Sequence, residues 1–233
     1  MTTHGFAHPE YLVDPDWVQS HLEDVDVVVL DIDTEAGYSR GHIPRAVMLL
    51  DSYERDSETG LVHTFTPERF AATCEGLGIG DGTTVVVYDN NLSLNAARFW
   101  WVMNYNGHQN VKVLDGGWRR CAGEGWPVSF DQAVLNQNAT FTPRVDKSLA
   151  VELDEVMEGC SLPGVVNWDT RTGEEYDGTV NRRNQRKGHI TGAAHLEWSD
   201  LMERDSHRFK PHQEMRRILD SHGITPDKAI FAY

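Results

Sequence analysis

"GHIPRAVML" (Gly41–Leu49) and "GHITGAAHL" (Gly188–Leu196) are two versions of one nine-residue phrase. Each follows a β-branched run that ends in an acid: "VDVVVLDID" (Val25–Asp33) before the first, "GVVNWDTR" (Gly164–Arg171) before the second. Each also precedes a helix-like segment and a further apolar run. "TPERFAATCEGLGIGDGTTVVVYD" (Thr66–Asp89) is matched in the second half by "KPHQEMRRILDSHGITPDKAIFAY" (Lys210–Tyr233). Superposing Leu77-Gly78-Ile79 on His222-Gly223-Ile224 lays Tyr88 on Tyr233, and Asp89 falls opposite the position after Tyr233. The chain therefore reads as two copies of one unit.

The elements inside each copy are legible from their periods. Short apolar runs such as "TTVVVYDNN" (Thr83–Asn91) and "NVKVLDGG" (Asn110–Gly117) suit strands buried on both faces of a parallel sheet. "TPERFAATCEGLG" opens with Thr-Pro and closes on Gly, and "NAARFWWVMNYNG" is apolar and also closes on Gly, as helices do. Strands alternating with helices predict an α/β fold. The predicted organisation is an N-terminal domain over residues 1–130, a polar linker over 131–148 and a C-terminal domain over 149–233. After Asp89 the first copy continues through a helix around Phe99–Asn106, a strand Val111–Leu114 and a helix begun by "GGWRRCAGEGWP". The second copy has no counterpart of these, so it is read as incomplete, cut immediately before the position that aligns with Asp89.

Composition narrows the function classes. The net charge of −15 argues against a general nucleic-acid binder, which needs a basic face. No run approaches the length of a membrane span, and "MTTHGFAHPEY" lacks the basic and apolar regions of a signal peptide. Cys74, Cys121 and Cys160 are odd in number and form no CxxC, so neither a disulfide framework nor a zinc site is indicated, and a reducing cytoplasmic setting is the expectation. The eleven histidines show no metal-binding spacing. "GLGIGDG" (Gly76–Gly82) follows a helix and precedes a strand, the reverse of a dinucleotide fingerprint. No cofactor is implied.

Taken in order and twice over, these stretches resemble the tandem-domain rhodanese family, the thiosulfate and 3-mercaptopyruvate sulfurtransferases. The carriers are the paired "GHI" turns, the strand-end Asp31, "DTR" at Asp169–Arg171, "VVVYD" with "RFWW", "VKVLDGGWRRCAGEGWPVS" and "ITPDKAIFAY". The resemblance implies two rhodanese-like domains, each a parallel sheet flanked by helices. It implies that Asp89 marks a non-catalytic copy and that the catalytic cysteine of the other copy stands directly after Tyr233, outside the 233 residues. A cysteine in that place, cradled by backbone N–H groups at a strand end, forms a reactive thiolate that accepts sulfur as a persulfide. The implied partners are a small anionic sulfur donor and a thiol or cyanide acceptor, with no nucleic acid, no membrane and a monomeric protein.

By the same resemblance Arg171 binds the donor's anionic group through its planar fork; the alternative is an ion pair with Asp169 or Glu174. "NRRNQRKGHI" adds Arg182, Arg183, Arg186 and Lys187, a basic island without a counterpart in the first copy, where the strand end and the "GHI" turn lie ten rather than nineteen positions apart. It is read either as an anion-attracting loop or as a solvated surface loop. The three cysteines are read as structural filler, since none follows a buried strand. His42 and His189 are read as turn residues. Two other readings compete: a non-catalytic rhodanese-like binding or regulatory module, and a dual-specificity phosphatase of related fold. For the position after Tyr233, selenocysteine, a modified cysteine, and an engineered or natural truncation stay open.

Overall fold

A computed structural model describes residues 5–51, 53–55, 62–135, 138–182 and 186–233. It divides the chain into two compact units: Met1–Asp146 with Arg204–Arg208, and Lys147–Glu203 with Phe209–Tyr233. Both are α/β, as the alternation of runs predicts.

In the first unit the chain runs β1 (Leu12–Val13), α1 (Pro15–His21), β2 (Val27–Asp31), α2 (Glu35–Ser39), β3 (Val47–Met48), β4 (Tyr53–Arg55), β5 (Val62–Thr64), α3 (Pro67–Gly76), β6 (Thr84–Tyr88), α4 (Leu94–Tyr105), β7 (Val111–Leu114) and α5 (Gly117–Gly123). Five strands form one parallel sheet in the order β1-β7-β6-β2-β3, and β4 and β5 make a small antiparallel pair. Val86 and Tyr88, alternate residues of β6, join Val29, Leu114, Val18 and Cys121 in one buried cluster. Val85 and Val87 point to the other face and are as fully buried. That two-sided burial is why β6 is an unbroken apolar run.

Local chemistry sets the helix boundaries. Asp14, Thr34 and Thr66 cap α1, α2 and α3 by accepting the N–H of Trp17, Gly37 and Arg69. Part of the predicted linker is bound to this unit. Phe141 is buried, packs edge-on against Phe70 at 5.6 Å, and its N–H donates to Glu75. Thr140, Arg144 and Asp146 make backbone hydrogen bonds with Asp81, Asn106 and Tyr105, and the Thr142 N–H donates to the Asp81 carboxylate.

The second unit runs α6 (Leu153–Gly159), β8 (Val165–Asp169), α7 (Gly173–Tyr176), β9 (Ala194–His195), α8 (His212–Ser221) and β10 (Ala229–Ala232). Its three strands are parallel in the order β10-β8-β9. Its core is smaller: Leu196, Leu201 and Ile224 are buried, with Val166, Trp168, Met215, Ile218 and Ile230 packed partly against them. Ala229 and Ala232 on β10 are exposed, as are Leu153 and Met157 on α6. Among the described residues no helix is long and apolar enough to cross a membrane.

Candidate active site

Reactive groups in open α/β sheets collect at the carboxyl ends of the strands, and both units place acids there. In the first unit β6 ends at Tyr88, and the next residue, Asp89, is buried. Its carboxylate accepts four backbone N–H bonds. Asn91 and Ser93 donate to Oδ1 at 2.8 and 2.9 Å, and Asn95 and Ala96 donate to Oδ2 at 2.8 and 2.9 Å. Burial raises the Asp89 pKa, and these four bonds oppose the rise. The loop reaches this shape through left-handed backbone at Leu92 (φ 54°) and Ser93 (φ 62°), a strained conformation for residues with side chains. Gly117 closes over it: the Trp118 N–H donates to the Asp89 carbonyl at 3.0 Å, and a Cβ on Gly117 would meet that oxygen at 2.2 Å. The result is an anion cradle made of backbone and filled by a carboxylate of the same loop.

In the second unit β8 ends at Asp169, which is fully buried. The Arg171 backbone N–H and Nε both donate to Asp169 Oδ1, at 3.0 and 2.9 Å, and Nη2 donates to Oδ2 at 2.5 Å. Nη2 also donates to the Gly188 carbonyl at 2.9 Å, and the guanidinium carbon lies 5.2 Å from the centre of the Tyr233 ring. Burial pulls the Asp169 carboxyl up, but the Arg171 hydrogen bonds outweigh it and hold the group below the usual carboxylate range. The same bonds raise the Arg171 pKa. Among the described residues Nη1 makes no hydrogen bond, so two of the five guanidinium donors face no partner.

Around each strand-end acid stands the same frame. The Tyr88 hydroxyl accepts the Ile43 N–H at 3.2 Å and the Tyr233 hydroxyl accepts the Ile190 N–H at 3.0 Å; each phenol also acts to lower the pKa of its neighbouring acid, Asp31 or Asp169. His42 stacks on Tyr38, and His189 on Tyr176, each at 3.7 Å. His42 Nδ1 lies 3.1 Å from the Tyr38 carbonyl and His189 Nδ1 lies 2.7 Å from that of Tyr176, so both histidines brace their turns.

The predicted basic residues spread out. Arg182 reaches Glu175 at 3.4 Å through a largely exposed side chain, Arg186 is exposed, and Arg183 lies outside the described residues. Among the described residues no hydrogen bond joins Arg182 or Arg186 to Arg171. Of the cysteines, Cys74 and Cys121 are buried filler; burial pushes the Cys121 thiol up to about 12 and the Cys74 thiol higher. Cys160 departs from the filler expectation. It is exposed, because it caps the end of α6, and its Sγ accepts from Asn167 Nδ2 at 3.3 Å. None of the three stands at the carboxyl end of a strand. Among the described residues no group of three metal-binding side chains is assembled. The sequence reading missed His195, whose Nε2 lies 3.0 Å from the Arg171 carbonyl. The repeat held the signal: in the aligned "GHI" phrases His195 stands where the first copy has Met48.

The rhodanese-like domain family matches residues 14–124. The sulfur carrier protein TtuD of Thermus thermophilus is 35% identical over 98% of this chain and 84% of its own length. The mitochondrial thiosulfate/3-mercaptopyruvate sulfurtransferase 1 of Arabidopsis thaliana is 31% identical over 99% of this chain and 69% of its own length. Among solved structures, the 3-mercaptopyruvate sulfotransferase SseA of Escherichia coli superposes with a TM-score of 0.83 at 25% identity, covering 95% of this chain and 87% of that one. The EanB complex with ergothioneine superposes with a TM-score of 0.82 at 25% identity; the chain spans 61% of that protein's length.

Proposed function

The chain belongs to the rhodanese family of sulfurtransferases, and from that membership we propose that it moves a sulfur atom from thiosulfate or 3-mercaptopyruvate to cyanide or a thiol through an enzyme persulfide. The observation that carries this reading is the Asp169–Arg171 clamp at the carboxyl end of β8. Asp169 fixes the guanidinium, so its Nη1 donors are held ready for the oxygens of an anionic donor at little further entropic cost.

The sulfur-carrying side chain belongs, on this reading, at the register equivalent of Asp89, the position directly after Tyr233. The Asp89 cradle is the template: converging backbone N–H groups such as the four that hold this carboxylate also stabilise a thiolate or a persulfide. In the first half-reaction the thiolate attacks the outer sulfur of thiosulfate. The sulfur–sulfur bond of the donor breaks, and sulfite leaves with the electron pair. In the second, the acceptor attacks the outer sulfur of the persulfide and the thiolate is regenerated.

The test is thiocyanate formation from thiosulfate and cyanide by the full-length gene product, with the persulfide trapped and weighed after thiosulfate alone. Turnover and a mass gain of one sulfur on the residue after Tyr233 are expected. Absence of both, with the fold intact, favours the non-catalytic binding module instead.

A further inference from the structure

We infer that His195 is a positioning residue for the donor-binding arginine: it holds the Arg171 backbone so that the guanidinium meets the donor, and it does so without touching the donor. This rests on the donor-site reading of Arg171. β9 pairs with β8 so that His195 is the register partner of Asp169. From there its Nε2–H donates to the Arg171 carbonyl at 3.0 Å. The peptide on one side of Arg171 is thereby tied to β9, while its own N–H is tied to Asp169 Oδ1. Arg171 is the last residue before Thr172, the cap of α7, so the bond from His195 also fixes where that helix starts.

The histidine ring is itself fixed. It lies against Tyr176 at 4.4 Å, and Tyr176 also carries the ring of His189 at 3.7 Å. The Tyr176 hydroxyl donates to the Ala193 carbonyl at 3.4 Å, which ties the stack back to the approach to β9. The first unit lacks both members of the pair. There the register partner of the strand-end Asp31 is Met48, which has no ring nitrogen to donate, and the position two residues after Asp31 is Asp33 rather than an arginine. The histidine and the arginine occur together in one copy and are absent together from the other. A purely structural brace for the fold would be needed in both.

Thiosulfate affinity, measured by calorimetric titration of the chain, tests this. His195→Phe keeps a ring on Tyr176 and removes the donor; it is expected to weaken binding about fivefold. His195→Gln restores an N–H at similar reach and is expected to stay within about twofold of the unchanged protein. In the pair Arg171→Ala with His195→Phe, the second substitution is expected to add nothing, because His195 acts through Arg171. Unchanged affinity in Arg171→Ala alone overturns the donor-site reading, and the inference with it. Weakened binding in Arg171→Ala beside unchanged binding in His195→Phe, or fully additive losses in the double variant, overturns the inference and leaves the donor site standing. A readout free of any folding defect uses the unsubstituted chain: the nitrogen resonance of His195 Nε2 is expected to shift as thiosulfate saturates, and a resonance that stays in place contradicts the coupling.

Discussion

At the carboxyl end of β2 the chain reads Asp31-Ile32-Asp33, and at the carboxyl end of β8 it reads Asp169-Thr170-Arg171. The frames around these triplets agree closely. In each, the strand-end acid accepts the N–H two residues on, at 2.9 Å in the first unit and 3.0 Å in the second. In each, a tyrosine at the end of the neighbouring strand accepts the isoleucine N–H of the "GHI" turn and acts to lower the pKa of that acid. The third residue differs in charge sign. Burial leaves the Asp31 carboxyl raised above its ordinary range, whereas the Arg171 fork brings the Asp169 carboxyl below it. The two copies share the acid, the tyrosine and the turn, and differ in charge sign two residues beyond the strand.

The difference in cores gives the largest expected effect. Residues of β6 are buried almost throughout, whereas β10 pairs with β8 alone among the described residues and has its end residues exposed. Hydrogen exchange is expected to protect the β6 amides more strongly than those of β10 by about two orders of magnitude. Equal protection would mean that the two units open as one.

Arg171→Ala comes next, because it removes two side-chain bonds from a buried carboxylate. It is expected to destabilise the second unit by about 2–3 kcal/mol in urea unfolding, with little effect on the first. Asp33→Arg imports the clamp into the first unit. It is expected to lower the Asp31 carboxyl pKa, read by carbon NMR titration, and to add about 1 kcal/mol to that unit at neutral pH. An unmoved Asp31 titration would show that the frames are less alike than their hydrogen bonds suggest.

The smallest effect is the pH dependence, and its signs are opposite in the two units. Asp169 has a folded pKa below its unfolded value near 3.8, so its contribution is present above that value and is lost as pH falls through the folded one. Asp31 and Asp89 have folded pKa values above the unfolded one, so their effect on stability worsens as pH rises from about 4 through the raised values. Unit-resolved exchange between pH 3 and 7 should show the second unit weakening toward acid while these acids of the first gain.

Much of this was legible in the sequence because repetition is a long-range signal carried by many residues. The paired "GHI" turns, the apolar runs and the strand-end acids located both sheets and Arg171. What escaped were features of only two or three residues or of a single contact. β1, β3 and β9 are two residues long and exist because a neighbouring strand pairs with them, which no periodicity announces. Phe141 sits in a polar stretch, and only the aromatic pocket around Phe70 and His108 makes it a core residue. The engagement of Arg171 by its own neighbour Asp169 was one of two alternatives, and the structure shows that pairing along one edge of the guanidinium.

The donor-site role of Arg171 is tested most directly by titrating thiosulfate into the protein with arginine, alanine and lysine at position 171. A charge-assisted bond to an anion corresponds to about 10- to 100-fold in affinity. Alanine is therefore expected to weaken binding by at least tenfold. Lysine should recover only part of the loss, because an ammonium cannot hold Asp169 along one edge and the donor along the other. Equal affinity in all three proteins would contradict the assignment and remove Arg171 from the site.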